Sequence, residues 1–297
     1  MIFDTIIIGK GPAGIQAALY VKRANFNVLV IGKDSGALGK AQKIENFYGQ
    51  SGAINGIELA NKGIAQIENL GVTVLSDEVV GIEFCDNETN INKGKLCFKI
   101  KTLKNEYVCK TVIIATGANR KNPNINGIKE YEGHGVSYCA VCDGFFYKNK
   151  EVVVIGSGDY AVSEVNALLP LAKHITILTN GSDEVLFRNE NVTCNTKKIS
   201  EVVGSKNVEA VLFKDNSKVD TSGVFVAEGV ATSLDFAKRL GAEVDEGKMC
   251  VNDKTMGTTV PGVFAAGDCT GEIYQIPKAV YEGMKAGLGV VKYLREQ

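Results

Sequence analysis

At 297 residues the chain is too long for a single modest core and fits two α/β domains, with 45% apolar and 23% charged residues, as in ordinary soluble globular proteins. A formal net charge of −1 excludes a basic footprint for nucleic acid or an anionic membrane surface, and no apolar run is long enough to span a bilayer. The N-terminal apolar stretch ends in a glycine-rich turn rather than a signal-peptide cleavage site, so the sequence reads as cytoplasmic, with neither nucleic acid nor membrane as a partner.

The chain opens with an apolar, β-branched stretch, Phe3 to Ile8, that predicts a strand. Gly9-Lys10-Gly11-Pro12-Ala13-Gly14 follows, then a helical stretch from Ile15 to Ala24 and a second strand from Asn27 to Ile31. Strand, glycine turn, helix, strand is the setting in which G-x-G-x-x-G carries information. Gly9 permits the tight turn, Gly11 lets the backbone approach a pyrophosphate on the helix N-terminus, and Gly14 allows close helix–strand packing. Further on, Thr111 to Gly117 reads as an apolar strand closed by the small-residue turn Ala115-Thr116-Gly117. A second unit of the same kind begins with a strand, Glu151 to Ile155, and the turn Gly156-Ser157-Gly158-Asp159-Tyr160-Ala161. It continues with a helix from Val162 to Leu171 and a strand from Ile175 to Thr179. Near the C-terminus, Gly262 to Asp268 is another apolar strand, capped by an acid, and a helix runs from Ile276 to about Leu294.

This order predicts an α/β fold of two Rossmann-like three-layer domains. Residues 1–117 and 241–297 would form a discontinuous first domain, with 118–240 inserted as a central domain. The crossings, near Ala118–Asn124 and Glu228–Leu240, look like short hinges.

Of the eight cysteines, Cys85, Cys97, Cys109, Cys194, Cys250 and Cys269 are scattered, and the expectation is that they are buried small hydrophobes. Only Cys139 and Cys142 are close together. A structural zinc site needs a second C-x-x-C or a histidine pair, and the two histidines, His134 and His174, are far apart, so no metal is expected. In a cytosolic protein an isolated C-x-x-C reads as a redox dithiol.

Four motifs occur in a telling order: Gly9 to Gly14, Ala115-Thr116-Gly117, Cys139-Ala140-Val141-Cys142-Asp143-Gly144, and Ala265-Ala266-Gly267-Asp268. Together with Glu45-Asn46-Phe47-Tyr48-Gly49 and Gly135-Val136-Ser137-Tyr138-Cys139, they make the chain resemble the low-molecular-weight flavin thioredoxin reductases over nearly its whole length. The resemblance implies FAD in the split domain, thioredoxin as substrate and a homodimer. Gly9, Gly11 and Gly14 would cradle the pyrophosphate, Asp268 would hydrogen-bond the ribityl chain, and Asn46, Thr116, Gln275 and Ile276 would lie near the ring system and ribityl. The same carry-over adds Pro12, Ala13, Gly32, Lys33, Ala115, Gly117 and Gly267 to the expected cofactor contacts. It also implies that Cys139 attacks the target disulfide, Cys142 faces the flavin, and Asp143 moves protons to and from the leaving thiol.

The chain departs from the family pattern in one FAD contact and in the features that bear on where electrons enter. The strand at Asn27–Ile31 ends in Gly32-Lys33 instead of an acid for the adenosine ribose, which leaves adenosine contacts to backbone. After the second unit's strand, NADPH enzymes of this family place a basic cluster that forms charge-assisted bonds to the 2′-phosphate, each worth about 1.5–3 kcal/mol. Here Thr179-Asn180-Gly181-Ser182-Asp183-Glu184-Val185-Leu186-Phe187 holds no Arg or Lys, so the glycine turn is expected to serve helix–strand packing. After Asp268 the usual Arg-Gln is replaced by Tyr274-Gln275-Ile276-Pro277-Lys278. The central domain is also compact; with the missing basic cluster and the lost Arg-Gln, this is most similar to the ferredoxin-dependent flavin thioredoxin reductases of clostridia, which implies reduced ferredoxin as donor. An NAD(P)H enzyme with an unusual nucleotide pocket, a deazaflavin donor and a flavin dithiol oxidase remain open. Lys33, Lys40 and Lys43 flank the expected flavin entrance and read either as a steering patch for an acidic donor or as a solvated loop.

Overall fold

The structure is a computed structural model; it describes residues 2–85, 96–117, 124–138, 140–228 and 232–297, apart from the side chains of Lys40, Val141, Cys142 and Asp159. The chain begins β1 (Ile2–Ile8), α1 (Pro12–Arg23), β2 (Val28–Ile31), α2 (Gly56–Glu68), β3 (Thr73–Leu75), β4 (Val79–Phe84), β5 (Phe98–Thr102) and β6 (Glu106–Ile114). It continues through β7 (Val136–Ser137), α3 (Ala140–Asp143), β8 (Glu151–Ile155), α4 (Asp159–Leu168), β9 (His174–Leu178) and β10 (Val192–Asn195). Next come β11 (Ile199–Gly204), β12 (Val208–Phe213), β13 (Lys218–Asp220) and β14 (Gly223–Val226). The last stretch is α5 (Ser233–Leu240), β15 (Val244–Asp245), β16 (Lys248–Met249), β17 (Val263–Ala265) and α6 (Ile276–Arg295). These elements divide into two compact units, residues 1–119 with 232–297, and residues 120–231.

In the first unit β3-β2-β1-β6 run parallel, with β17 parallel to the far half of β6 and the antiparallel pair β5-β4 on its near half. The parallel strands are apolar on both faces, Ile6, Ile7, Val30, Ile31, Ile113 and Ile114 being almost fully buried, because helices cover them. Helix α1 starts on Pro12, whose fixed φ suits the first helical position and whose missing N–H costs nothing there. It packs against α6 through small residues: a Cβ on Gly283 would lie 2.2 Å from the Ala13 carbonyl oxygen, so the two backbones touch.

The second unit is a five-stranded parallel sheet, β10-β9-β8-β14-β7, with a separate antiparallel sheet β11-β12-β13. Both units therefore have the mixed α/β, Rossmann-like sheets expected. Two boundaries differ from the sequence expectation. Helix α4 stops at Leu168 instead of running to Leu171; Leu169 caps it, and Pro170, which has no N–H to donate, follows directly. Residues 233–240, expected as part of a short hinge closing the inserted segment, instead form helix α5 in the first unit. It opens on a Thr232/Asp235 capping box, closes on Gly241 at φ +72°, and packs against β4.

Candidate flavin and dithiol sites

The first glycine turn is held by backbone contact. A Cβ on Gly9, at φ +116°, would sit 2.1 Å from the Ala115 carbonyl oxygen, and one on Gly14 would sit 1.9 Å from the Gly9 carbonyl oxygen. At Gly11, by contrast, nothing lies within 4 Å, and Gly11 caps α1 with no side-chain hydrogen bond. The first-turn N–H groups of α1 are thus left to an anion approaching an open backbone. Next to Ala115, the buried Thr116 Oγ1 has no hydrogen-bond partner. An open glycine and an uncapped helix start fit the pyrophosphate end of a dinucleotide such as FAD, and the orphaned hydroxyl leaves a donor free for its other polar groups.

Beyond β17 the loop through Gly267 and Asp268 is tied to α6 by two residues that the sequence reading missed. Glu282, buried, accepts from the Gly267 N–H at 2.8 Å and pairs with Lys278 at 2.9 Å. Lys278 Nζ in turn donates to the carbonyls of Gly267 (2.9 Å) and Gly271 (2.7 Å). The signal in the sequence is their i, i+4 spacing near the start of α6. Burial raises the Asp268 carboxyl above its ordinary range; Lys278 offsets this in part, and Glu282 adds to it. Asn46 and Gln275, far apart in sequence, meet through an Nδ2–Oε1 hydrogen bond of 3.3 Å. Ile276 is the first residue of α6.

At the end of β2, Gly32 N donates to the Leu75 carbonyl at 3.0 Å, and a Cβ on Gly32 would press within 2.8 Å of the Lys10 side chain. The acid missing after β2 in sequence arrives from the β3–β4 connection. Glu78, 4% exposed, pairs with Lys33, and Lys10 Nζ donates to Ser76 Oγ at 2.8 Å. Lys43 pairs with Glu45 at 3.0 Å. Lys33 and Lys43 are therefore neutralised by neighbouring acids, which favours the solvated-loop reading over a steering patch; the side chain of Lys40 lies outside the described residues.

In the second unit Cys139 and the side chain of Cys142 lie outside the described residues. Asp143 closes α3 and accepts a 2.7 Å hydrogen bond from Ser137 Oγ. It borders a cavity of about 850 Å³ that Ser137, Phe146, Tyr147, Lys150 and Val208 also line. Burial, helped by the nearby Asp143 charge, raises the Tyr147 phenol. Phe145 and Phe146, directly after Asp143-Gly144, are 71% and 69% exposed.

The end of β9 is tied up internally. Thr179 Oγ1 donates to the Ser182 carbonyl at 2.7 Å, Asn180 Oδ1 accepts from Ile199 N at 2.9 Å, and Asp183 and Glu184 are exposed. One basic group reaches this place from elsewhere: a Cβ on Gly181 would lie 3.0 Å from the Lys198 side chain.

The scattered cysteines are corrected in part. Cys85 and Cys97 are joined by a disulfide, their Cα atoms 5.4 Å apart, at the base of the β4–β5 hairpin, where Cys85 N also donates to the Cys97 carbonyl at 2.9 Å. The strand pairing that sets them opposite each other is invisible in their sequence spacing. Cys109 and Cys269 are buried thiols as expected, and burial pushes the Cys269 thiol up to about 12, while Cys194 and Cys250 are only partly buried.

A dinucleotide cradle in one Rossmann-like unit and a C-x-x-C-D segment in a second unit of the same chain are the two parts of a flavin-dependent disulfide oxidoreductase. Residues 3–283 match the model of the family described as pyridine nucleotide-disulphide oxidoreductase. The thioredoxin reductase of Aquifex aeolicus is 36% identical, over 99% of this chain and 94% of that one. Among solved structures, the atypical thioredoxin reductase TRi of Desulfovibrio vulgaris Hildenborough superposes with a TM-score of 0.91 at 35% identity, covering 99% of both chains. A ferredoxin-flavin thioredoxin reductase of Clostridium acetobutylicum does so at 0.75, also with 35% identity and 99% of both chains. The chain belongs to the pyridine nucleotide-disulphide oxidoreductases, among the low-molecular-weight thioredoxin reductases, and its cofactor is FAD.

Proposed function

We propose that this chain is a cytoplasmic, homodimeric thioredoxin-disulfide reductase that receives electrons from reduced ferredoxin instead of a nicotinamide. The observation that carries the donor assignment is the end of β9. Where a 2′-phosphate would need a basic fork, the loop spends its polar groups on itself and exposes Asp183 and Glu184.

FAD, when bound, supplies a two-electron store that can be filled one electron at a time. The chain's own residues do the rest. The first unit holds the pyrophosphate over Gly11 and the first turn of α1, and Asp268 and Thr116 offer acceptor and donor oxygens for ribityl hydroxyls. In the second unit the thiolate of Cys139 attacks one sulfur of the thioredoxin disulfide, forming a mixed disulfide and expelling the other thioredoxin sulfur as a thiolate. Asp143, oriented by Ser137, passes that sulfur its proton. Cys142 then attacks Cys139 Sγ, closing the Cys139–Cys142 disulfide and releasing reduced thioredoxin. Two electrons and two protons have moved from the Cys139/Cys142 pair to thioredoxin, leaving the pair as a disulfide that bound FAD would supply with electrons. The exposed Phe145 and Phe146 beside this segment offer a protein substrate an apolar face.

Mixing the purified holoenzyme anaerobically with reduced ferredoxin, NADPH or NADH tests the donor. Flavin bleaching within seconds by ferredoxin alone is expected; equally rapid bleaching by NADPH or NADH overturns the assignment. One observation favours the nicotinamide reading, the approach of Lys198 to Gly181, and NADPH bleaching lost in Lys198→Ala would establish it.

A further inference from the structure

Helix α4 follows the second glycine turn, where a nucleotide-binding relative would rest a pyrophosphate on it. In this chain two side chains on one face of that helix, Tyr160 and Glu164, are turned to another task. Their i, i+4 spacing stacks them one turn apart. Both are buried, at 2% and 1% exposure. Tyr160 OH donates to the Tyr138 carbonyl at 3.1 Å, and Glu164 Oε2 accepts from the Ala140 N–H at 2.6 Å. Tyr138 and Ala140 are the residues on either side of Cys139 in the sequence. The two peptide groups that bracket the cysteine are therefore gripped from one rigid element, and the 2.6 Å contact has the short length of a hydrogen bond to a charged acceptor.

We infer that Tyr160 and Glu164 are positioning residues for the redox dithiol, and that α4 is kept in this chain as a scaffold for Cys139. The inference rests on the reading of Cys139 and Cys142 as the working pair. A cysteine that must attack a protein disulfide along a fixed S–S axis gains rate when its backbone is held. A carboxylate bonded to the N–H of Ala140, the residue after Cys139 in the chain, also disfavours a thiolate on the reduced pair, which holds the couple at a more negative potential. Neither role requires a nucleotide. The pair thus gives a physical reason for retaining the second strand–turn–helix unit after its nucleotide determinants are gone.

Three variants of the holoenzyme test this: Glu164→Gln, which keeps an acceptor oxygen but removes the charge, Glu164→Ala, and Tyr160→Phe. The dithiol potential is read by equilibration in dithiothreitol redox buffers. The exchange rate is read by mixing dithionite-reduced enzyme, freed of excess reductant, with oxidised thioredoxin. Glu164→Gln should shift the dithiol equilibrium about tenfold toward the reduced form, about 30 mV less negative for a two-electron couple, with FAD content unchanged. Tyr160→Phe should slow reoxidation by thioredoxin several-fold, and Glu164→Ala should show both effects. If all the variants that fold keep the wild-type potential and reoxidation rate, with a lower melting temperature at most, the residues are merely structural and the inference is overturned. Cys139→Ser and Cys142→Ser in the same reoxidation assay separate this from the reading beneath it, because that reading fails only if either serine variant still reduces thioredoxin at the wild-type rate.

Discussion

At the first glycine turn, the Cβ missing from Gly9 would strike the carbonyl of Ala115, just past the neighbouring strand β6; at the second, the Cβ missing from Gly156 would strike the carbonyl of Ala227, just past the neighbouring strand β14. The distances are 2.1 and 2.2 Å, so both turns need their first glycine for the same steric reason, whether or not anything binds. The turns diverge elsewhere. The first has an open Gly11, an orphaned Thr116 hydroxyl and a loop wired to Glu282 and Lys278. The second has Ala161 in the sixth position, a strand end closed on itself, and a following helix whose side chains grip the dithiol segment. Glycines that only make room for a neighbouring backbone say that the strand–turn–helix unit exists. Ligand binding is reported by the groups that the unit leaves unspent.

The widest test of this view substitutes the first glycine in each turn. Gly9→Ala and Gly156→Ala both force a methyl into backbone and should each cost more than about 3 kcal/mol, read as a fall in the midpoint of urea unfolding. If Gly156→Ala proves neutral while Gly9→Ala is severe, the two turns are not sterically equivalent and the comparison breaks. A smaller effect is expected from Glu282→Leu, which strips Lys278 of its buried partner and orphans the Gly267 N–H. It should lose about 3 kcal/mol and release FAD during gel filtration. Smaller again is Cys97→Ser. It opens a 12-residue loop in the first unit's antiparallel layer and should lower stability by about 2–3 kcal/mol under oxidising conditions, with the difference from wild type vanishing in dithiothreitol.

The sequence showed the elements whose cause is local. The β-branched runs ending in glycine turns, Pro12 at a helix start and the apolar periodicity of α6 could all be read from neighbours along the chain. It failed where the cause is remote. The acid near Gly32 comes from Glu78 across a sheet, and the partners that fix the Asp268 loop come from α6. Likewise Cys85 and Cys97 meet only because β4 and β5 pair in a particular register. The basic residue near Gly181 is Lys198, which no scan of residues 179–187 could find. The clamp on Tyr138 and Ala140 is remote in the same way, since Tyr160 and Glu164 lie 22 and 24 residues along the chain from the groups they hold.

The smallest effect separates what Asp268 does for the empty protein from what it does for the cofactor. Burial raises its carboxyl above the ordinary range, so the folded state binds that proton more tightly than the unfolded chain does. The resulting stability is fully present below the unfolded carboxylate value of about 3.9 and is lost as pH rises through the raised folded value. In the apoprotein, then, Asp268→Asn should melt slightly above wild type at pH 7, by about 2 °C at most, and level with it near pH 4. With FAD the sign reverses. An ionised Asp268 that accepts a ribityl hydroxyl makes a charge-assisted hydrogen bond, and its replacement by Asn should weaken FAD binding about tenfold in a titration at pH 7. A neutral effect on FAD together with a stabilised apoprotein would mark Asp268 as a strained turn acid of the first unit that the cofactor does not use.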